Sequence, residues 1–169
     1  MKKLLALFVV VLGFSAVSLA QSTKTATATA SATIIKGLTI TKTAEMSFGN
    51  LTVGSTAGTV VLTPAGTRTS PDLTLFGGTT TAASFNVVGD FNASFTITLP
   101  TTDHVIKLTT GPETMIVNAF NSNPAAGISA LSPTGTSTIT VGATLNVLAN
   151  QAPGLYQSTT PFDVTVNYN

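Results

Sequence analysis

The sequence predicts an all-β domain of two packed sheets with about nine or ten strands. Three observations carry this prediction. Thr, Val, Ile and Phe, which favour strands, dominate the regular segments. Gly and Pro interrupt the chain roughly every eight to fifteen residues, a spacing typical of a sandwich or a barrel. Leu, Glu, Lys and Arg at helical spacing are missing.

The N-terminus has the features of a secretory signal peptide. Lys2 and Lys3 precede an apolar run over residues 4–17, and small residues follow it. The run is shorter than the ~20 apolar residues that a membrane span needs. We therefore predict a signal peptide over residues 1–20, a mature chain without a transmembrane segment, and export to the periplasm, the cell surface or the medium.

Charge and cysteine content exclude several classes of protein. The chain has seven Lys plus Arg and six Asp plus Glu, so removal of Lys2 and Lys3 leaves a net charge of −1. Nucleic-acid binders show a basic stripe, and none is present, so we exclude nucleic acid as a partner. The absence of Cys rules out a thiolate metal site and a Cys nucleophile. A polar but uncharged surface suits a chain that packs against copies of itself or lies outside the cell.

Residues 21–33 form an Ala- and Thr-rich segment with the period of two that strands show. Thr alternates with a row of small residues, Ala26, Ala28, Ala30 and Ala32. Ala buries little apolar area, so the segment gains little by packing on its own core. It is either a flexible leader or an extension that pairs with a strand of its own domain or of another chain.

The β-domain is predicted over residues 34–169, and its first half contains four separate strands. Alternating apolar residues place them at residues 34–41, 45–50, 58–64 and 71–76. A Gly interrupts the second strand at position 49. The third has Val60 and Leu62 on one face, and a Gly-Gly pair turns the chain after the fourth.

Residues 83–88 and 93–99 are predicted to form one hairpin. Phe85 and Val87 alternate with polar residues in the first arm, and Phe95 and Ile97 do so in the second. Gly and Asx residues between the arms favour a turn. Pro100 ends the second arm, because Pro cannot donate to a strand ladder.

Three more strands are predicted before the last loop, at residues 105–108, 115–120 and 137–148, with residues 121–133 as a loop. In the strand at 115–120, Met115, Val117 and Ala119 are expected on one face. The strand at 137–148 places five residues on one face: Ile139, Val141, Ala143, Leu145 and Val147. Gly142 predicts a bulge or a close backbone approach there.

The closing segment, residues 162–168, alternates most regularly. Its apolar row consists of Phe162, Val164, Val166 and Tyr168, and polar residues lie between them. This pattern predicts a half-buried strand, and one with which another polypeptide can pair.

No motif predicts catalysis, a cofactor or a metal site. His104 is the only histidine and follows Asp103, but no Gly-x-Ser-x-Gly elbow accompanies it, so we expect a solvated turn histidine.

The six acids are scattered singly, unlike the paired carboxylates of glycosidases. The run from Asp90 to Ser94 resembles the start of a calcium loop, but the Gly and the Glu that should follow are missing. Thr alternation over residues 25–29 leaves an ice-binding face as an outside alternative.

Several segments together resemble a family of secreted bacterial proteins of unknown function. They are Met46-Ser47-Phe48-Gly49-Asn50, residues 58–64, Phe85-x-Val87-x-Gly89, residues 95–100, residues 141–145, and Gly154-Leu155-Tyr156 leading to residues 164–168. These segments cover nearly the whole mature chain. Their order is also similar to spore coat protein U and to the archaic chaperone–usher pilins, although those pilin-like domains commonly carry cysteines and this chain has none.

This resemblance implies an immunoglobulin-like sandwich that is exported and polymerised by donor-strand complementation. The row from Phe162 to Tyr168 would accept a strand, and residues 25–35 would donate one. We therefore expect a non-enzymatic structural subunit of a fimbria-like or surface-coat assembly. Its partners would be copies of itself, a neighbouring subunit or a periplasmic chaperone. The alternative is a monomeric extracellular binding module or glycan-binding adhesin, with Tyr156 and Phe91 as its loop aromatics.

Overall fold

The computed structural model describes residues 23–169, so the predicted signal peptide at residues 1–20 lies outside the described part. The described residues contain fifteen strands and no helix, which confirms the all-β prediction. The strands are β1 (Thr39–Ala44), β2 (Ser47–Phe48), β3 (Leu51–Thr52), β4 (Gly58–Leu62), β5 (Arg68–Thr69), β6 (Thr74–Leu75), β7 (Thr80–Thr81), β8 (Ala83–Val88), β9 (Ser94–Thr98), β10 (His104–Leu108), β11 (Thr114–Asn123), β12 (Gly127–Ala130), β13 (Thr136–Val147), β14 (Tyr156–Ser158) and β15 (Thr165–Tyr168). The number of strands exceeds the nine or ten predicted because several strands have only two residues, such as β2 and β3, which lie on either side of Gly49.

Two antiparallel sheets supply most of the strands. The larger has eight strands, with the main path β1-β8-β13-β11-β10-β14 and with β4 and β5 attached beside β13. The smaller has the order β12-β9-β15, and β2–β7 and β3–β6 form two short ladders. Val87 and Ile139 of the larger sheet pack in one buried cluster with Phe95 and Ile97 of the smaller sheet. The arrangement is consistent with a β-sandwich.

Strand β13 runs through the middle of the larger sheet, and the five side chains predicted to share one of its faces are all buried. The five predicted side chains, from Ile139 to Val147, are all at most 2% exposed. Gly142 lies against the main chain of the β4 end, where an added Cβ would stand 2.7 Å from the carbonyl carbon of Thr63. The predicted close approach at Gly142 is therefore confirmed.

A β-bulge lies opposite Gly142, on β11. The register of β11 against β13 shifts between Asn118 and Asn121, and Ala119 has a positive φ of 49°. A bulge adds one residue to a strand and so reverses the alternation after it. Phe120 consequently packs on the core while Ala119 is exposed, so the prediction that Ala119 shares a face with Met115 and Val117 was wrong. The predicted loop at 121–133 was also wrong in part, because it contains the end of β11 and all of β12.

The predicted hairpin of residues 83–99 was wrong as well. β8 pairs with β1 and β13, whereas β9 pairs with β12 and β15. The turn is present, with Asn92 at φ 54°, but it carries the chain from one sheet to the other. Val87 and Phe95 are both 0% exposed in one cluster. Burying both rows against each other requires facing sheets, which neighbouring strands of one sheet do not provide.

The first strand of the domain starts later than predicted. β1 covers Thr39–Ala44, and residues 23–38 contain no strand. Leu38 and Ile40 pack on the core, whereas the side chains of Ile34 and Ile35 are 98% and 57% exposed. The apolar residues that alternate over residues 34–41 therefore differ in environment: those before Gly37 are exposed to solvent, and those after it pack on the core.

Candidate strand-docking edge

Strand β15 is an edge strand. It pairs with β9 through Thr165–Thr98, Val166–Ile97, Asn167–Thr96 and Tyr168–Phe95, and no described strand pairs with its other edge. β1 is likewise an edge of the larger sheet, since it pairs with β8 alone among the described strands. Cα atoms of β1 and β15 approach within 8 Å. We call the space between β1 and residues 162–168 the seam.

The seam is lined by apolar side chains that the domain covers only in part. The predicted row of Phe162, Val164, Val166 and Tyr168 is half-buried throughout, and residues 163, 165 and 167 are exposed. Leu38 and Ile40 line the β1 side and are also half-buried. Covering such side chains stabilises a complex by about 25 cal/mol per Å² of apolar area. A free backbone edge beside a partly covered apolar row is the feature to which an added strand binds.

Tyr168 closes one end of the seam. Its hydroxyl donates to the main-chain carbonyl of Lys36 at 2.7 Å and accepts from the main-chain N–H of Asp90 at 2.7 Å. The ring itself packs on the core. These contacts hold the segment before β1 and the β8–β9 turn against β15, so little space remains at this end.

An aromatic cluster lies at the other end of the seam. The ring of Phe162 is 5.0 Å from that of Phe120 and 5.7 Å from that of His104, between centroids. His104 is in β10 and half-buried, with Nε2 at 2.8 Å from the hydroxyl oxygen of Ser158. The predicted turn position was therefore wrong, because His104 lies in a strand. Asp103 directs its Oδ1 to the side-chain amide of Asn118 at 3.0 Å.

A solvent-open cleft of about 380 Å³ adjoins this aromatic cluster. Residues 98–104 line one side, and Pro161, Phe162, Asp163 and Thr165 line the other. Asp103 and Asp163 both face it, and none of the described residues that line it is Lys or Arg. We call it the acidic cleft; it favours a cationic group.

The described residues of the Ala/Thr segment take part in no strand ladder. Residues 23–37 are exposed throughout, including Ala26, Ala28, Ala30 and Ala32, and none of them lies in a strand. The two halves of the predicted pairing interface therefore differ. The row from Phe162 to Tyr168 is half-buried as predicted, whereas the four Ala residues pair with no described strand of the same chain.

Sequence reasoning predicted Phe162 but missed the two rings that pack against it at the open end of the seam, those of Phe120 and His104. His104, Phe120 and Phe162 come from three separate parts of the chain, and no local motif joins them. The predicted loop aromatic Tyr156 lies in β14, where its hydroxyl donates to the carbonyl of Ala152 at 2.8 Å. Phe91 is in a turn and 67% exposed, as its loop position suggested.

Comparison with known proteins gives the family. Within residues 23–169, no helix is long and apolar enough to span a membrane. No curated protein and no solved structure matches the chain significantly. A family model described as "Domain of unknown function (DUF4402)" matches residues 38–168, which span β1 to β15. The predicted resemblance to a domain family of unknown function is thereby confirmed, and the chain belongs to the DUF4402 family.

Proposed function

We propose that this protein is a non-enzymatic, exported structural subunit of a fimbria-like or surface-coat assembly. Its β-domain would be an immunoglobulin-like sandwich, and copies would join by donor-strand complementation. One observation carries the proposal: on one side, β15 is paired by no described strand and lies beside a half-buried apolar row, and the same chain has an exposed alternating segment before the domain.

The two features fit each other chemically. An edge strand with free N–H and C=O groups binds an extended peptide by main-chain hydrogen bonds, and alternate side chains of that peptide enter the apolar row. Residues 25–35 carry no charge and no Pro, so each residue can join a ladder. Contact between a segment and an edge elsewhere on the molecule does not close on itself, so it produces open chains of subunits.

The size of the exported protein tests this function. The full-length gene, with its signal, would be expressed with and without residues 21–33, and the secreted products compared by light scattering after size separation. We expect ladders of subunits from the intact chain and monomers from the shortened one. Monomers in both cases, at equal stability, would contradict the proposal.

A second candidate function is glycan binding by a monomeric adhesin. The acidic cleft favours it, since Phe162 and His104 supply rings while Asp103 and Asp163 accept hydrogen bonds from sugar hydroxyls. Saturable binding of monosaccharides to the monomeric chain, lost in Asp163→Ala, would support this function over assembly.

A further inference from the structure

The segment that resembles the start of a calcium loop also contains an acceptor pattern for N-linked glycans. Residues 90–94 read Asp-Phe-Asn-Ala-Ser, in which Asn92 is followed after one residue by Ser94. The pattern Asn-x-Ser/Thr, with any residue except Pro in the middle, marks the Asn to which a glycan is attached in exported proteins. Such an Asn must lie where an enzyme can reach it and where the bulky product fits.

An acidic residue before Asn92 makes the pattern more specific. The chain has a second Asn-x-Ser/Thr pattern, in which Thr52 follows Asn50. Two positions before the Asn, the first pattern has Asp90 and the second has Phe48. Bacterial oligosaccharyltransferases require an acid at that position, where its carboxylate binds a cationic group of the enzyme. Of the two patterns, only the one at Asn92 meets this requirement.

The fold places Asn92 at an accessible point of the domain. It lies in the turn between β8 and β9, its side chain is exposed, and its φ is 54°. Its neighbour Phe91 is 67% exposed. A positive φ is adopted readily by Asn and directs the chain into a tight turn. A glycan on this side chain therefore extends into solvent and displaces no core residue.

Main-chain groups hold this turn in place. The N–H of Asn92 donates to the carbonyl of Ser132 at 3.2 Å, and the N–H of Ala93 donates to the carbonyl of Asp90 at 3.4 Å. The N–H of Asp90 donates to the hydroxyl of Tyr168 at 2.7 Å. None of these bonds uses the side-chain amide of Asn92. Attachment of a sugar to that amide leaves all three in place.

The second pattern lies in a more constrained position. The carbonyl of Asn50 accepts from the Arg68 guanidinium at 2.9 Å and from the N–H of Phe76 at 3.0 Å. Its side-chain amide packs against Gly78, where an added Cβ would stand 3.0 Å from Nδ2. A sugar on that nitrogen would have to displace this contact. Asn50 therefore serves as an internal control for Asn92.

We propose that Asn92 is the attachment site of an N-linked glycan, transferred from a lipid-linked oligosaccharide diphosphate. Nδ2 of Asn92 forms a bond to the anomeric carbon of the first sugar as the bond from that carbon to the diphosphate oxygen breaks. The lipid diphosphate leaves with the bonding electron pair, and the amide gives up one proton to a base of the transferase. The inference rests on the export in the proposed function, because bacterial transferases act outside the cytoplasmic membrane.

The site lies away from the acidic cleft. Asn92 precedes the Ser94 end of β9, and the cleft is lined by Thr98 at the other end of this strand. Ser94 also lies beside the last strand at the chain end, since its carbonyl accepts from the N–H of Asn169 at 3.3 Å. The glycan therefore extends from the Tyr168 end of the domain and leaves the cleft open to solvent.

Intact-mass spectrometry tests the site. The full-length chain, with its signal, would be produced in a bacterial host that carries an acid-requiring oligosaccharyltransferase and a lipid-linked oligosaccharide of known mass. We expect the exported chain to gain one glycan, located on Asn92 by peptide mapping. Asn92→Asp should lose it completely while keeping a residue that tolerates positive φ. Asp90→Asn should lower the glycosylated fraction at least about tenfold, the effect of one charge-assisted hydrogen bond. Ser94→Thr should retain the glycan.

A second chain, which carries the host's own signal peptide before Gln21, separates glycosylation from export. An exported chain without a glycan would overturn this inference and leave the proposed export intact. A glycan on this second chain alone would support Asn92 and contradict export by the natural signal. A glycan on Asn50, or one that persists in Asn92→Asp, would also overturn the assignment.

Discussion

The hydroxyl of Tyr168 donates to the main-chain carbonyl of Lys36 at 2.7 Å, across 132 positions of sequence. The same oxygen accepts from the N–H of Asp90 at 2.7 Å. One side chain therefore ties the segment before β1, the turn between the sheets and the last strand together at the closed end of the seam.

Tyr168→Phe is predicted to weaken this end of the domain. The ring stays in the core, but the N–H of Asp90 and the carbonyl of Lys36 lose their partner, which costs about 1–2 kcal/mol. Urea unfolding of the monomeric chain measures the loss. Unchanged stability would show that water replaces the hydroxyl without cost.

Gly142→Ala is predicted to destabilise the domain by about 1–3 kcal/mol, because the new methyl group must push the end of β4 away from β13. Gly37→Ala provides the control, since no described atom beyond the two neighbouring residues lies within 4 Å of a Cβ at that position. Thermal unfolding of the two variants compares them. Equal melting temperatures would contradict the close packing of β13 on β4.

Arg68→Lys is predicted to loosen the two short ladders. The Arg68 guanidinium donates to four main-chain carbonyls, those of Phe48, Asn50, Phe76 and Gly77. An ammonium group cannot reproduce this planar array, so we expect a loss of about 1–3 kcal/mol. Lys42→Ala, which removes an exposed ion pair with Glu45, should cost under about 1 kcal/mol. Chemical denaturation distinguishes them, and a larger effect of Lys42→Ala would refute this ranking.

Ala30→Arg is predicted to abolish assembly. Position 30 lies in the Ala row, which the proposed pairing lays on the half-buried row of residues 162–168, where a long charged side chain is costly to bury. Thr29→Arg places the same side chain on the opposite face and should leave assembly intact. Both positions are exposed in the single chain, so neither change affects folding. Light scattering measures the size of the two secreted proteins. Loss of assembly in both variants would contradict the prediction that only the even-numbered side chains face the apolar row.

The local alternation of apolar and polar residues predicted the strands that place one face on the core. The inner faces of β4 and β13 and the row from Phe162 to Tyr168 are where a period of two places them. The closing strand itself is shorter than predicted, since β15 begins at Thr165, but Phe162 and Val164 keep the alternation before it.

Pairing between distant segments was not predictable from the same signal. Nothing in residues 83–99 distinguishes a hairpin from a crossover between sheets, because both place Val87 and Phe95 in the core. The bulge at Ala119 depends on how β11 meets Gly142 of β13, which is a tertiary contact. The acidic cleft likewise needs Asp103 and Asp163, sixty positions apart, to meet through the fold.

Hydrogen exchange of the β15 region tests the strand-docking account most directly. The chain without residues 21–33 would be compared with and without a synthetic peptide of residues 21–37, with amide exchange followed by mass spectrometry. We expect that peptides covering residues 162–169 become strongly protected when the synthetic peptide is added, whereas the β12 edge does not change. Unchanged exchange at residues 162–169, at saturating peptide, would contradict it.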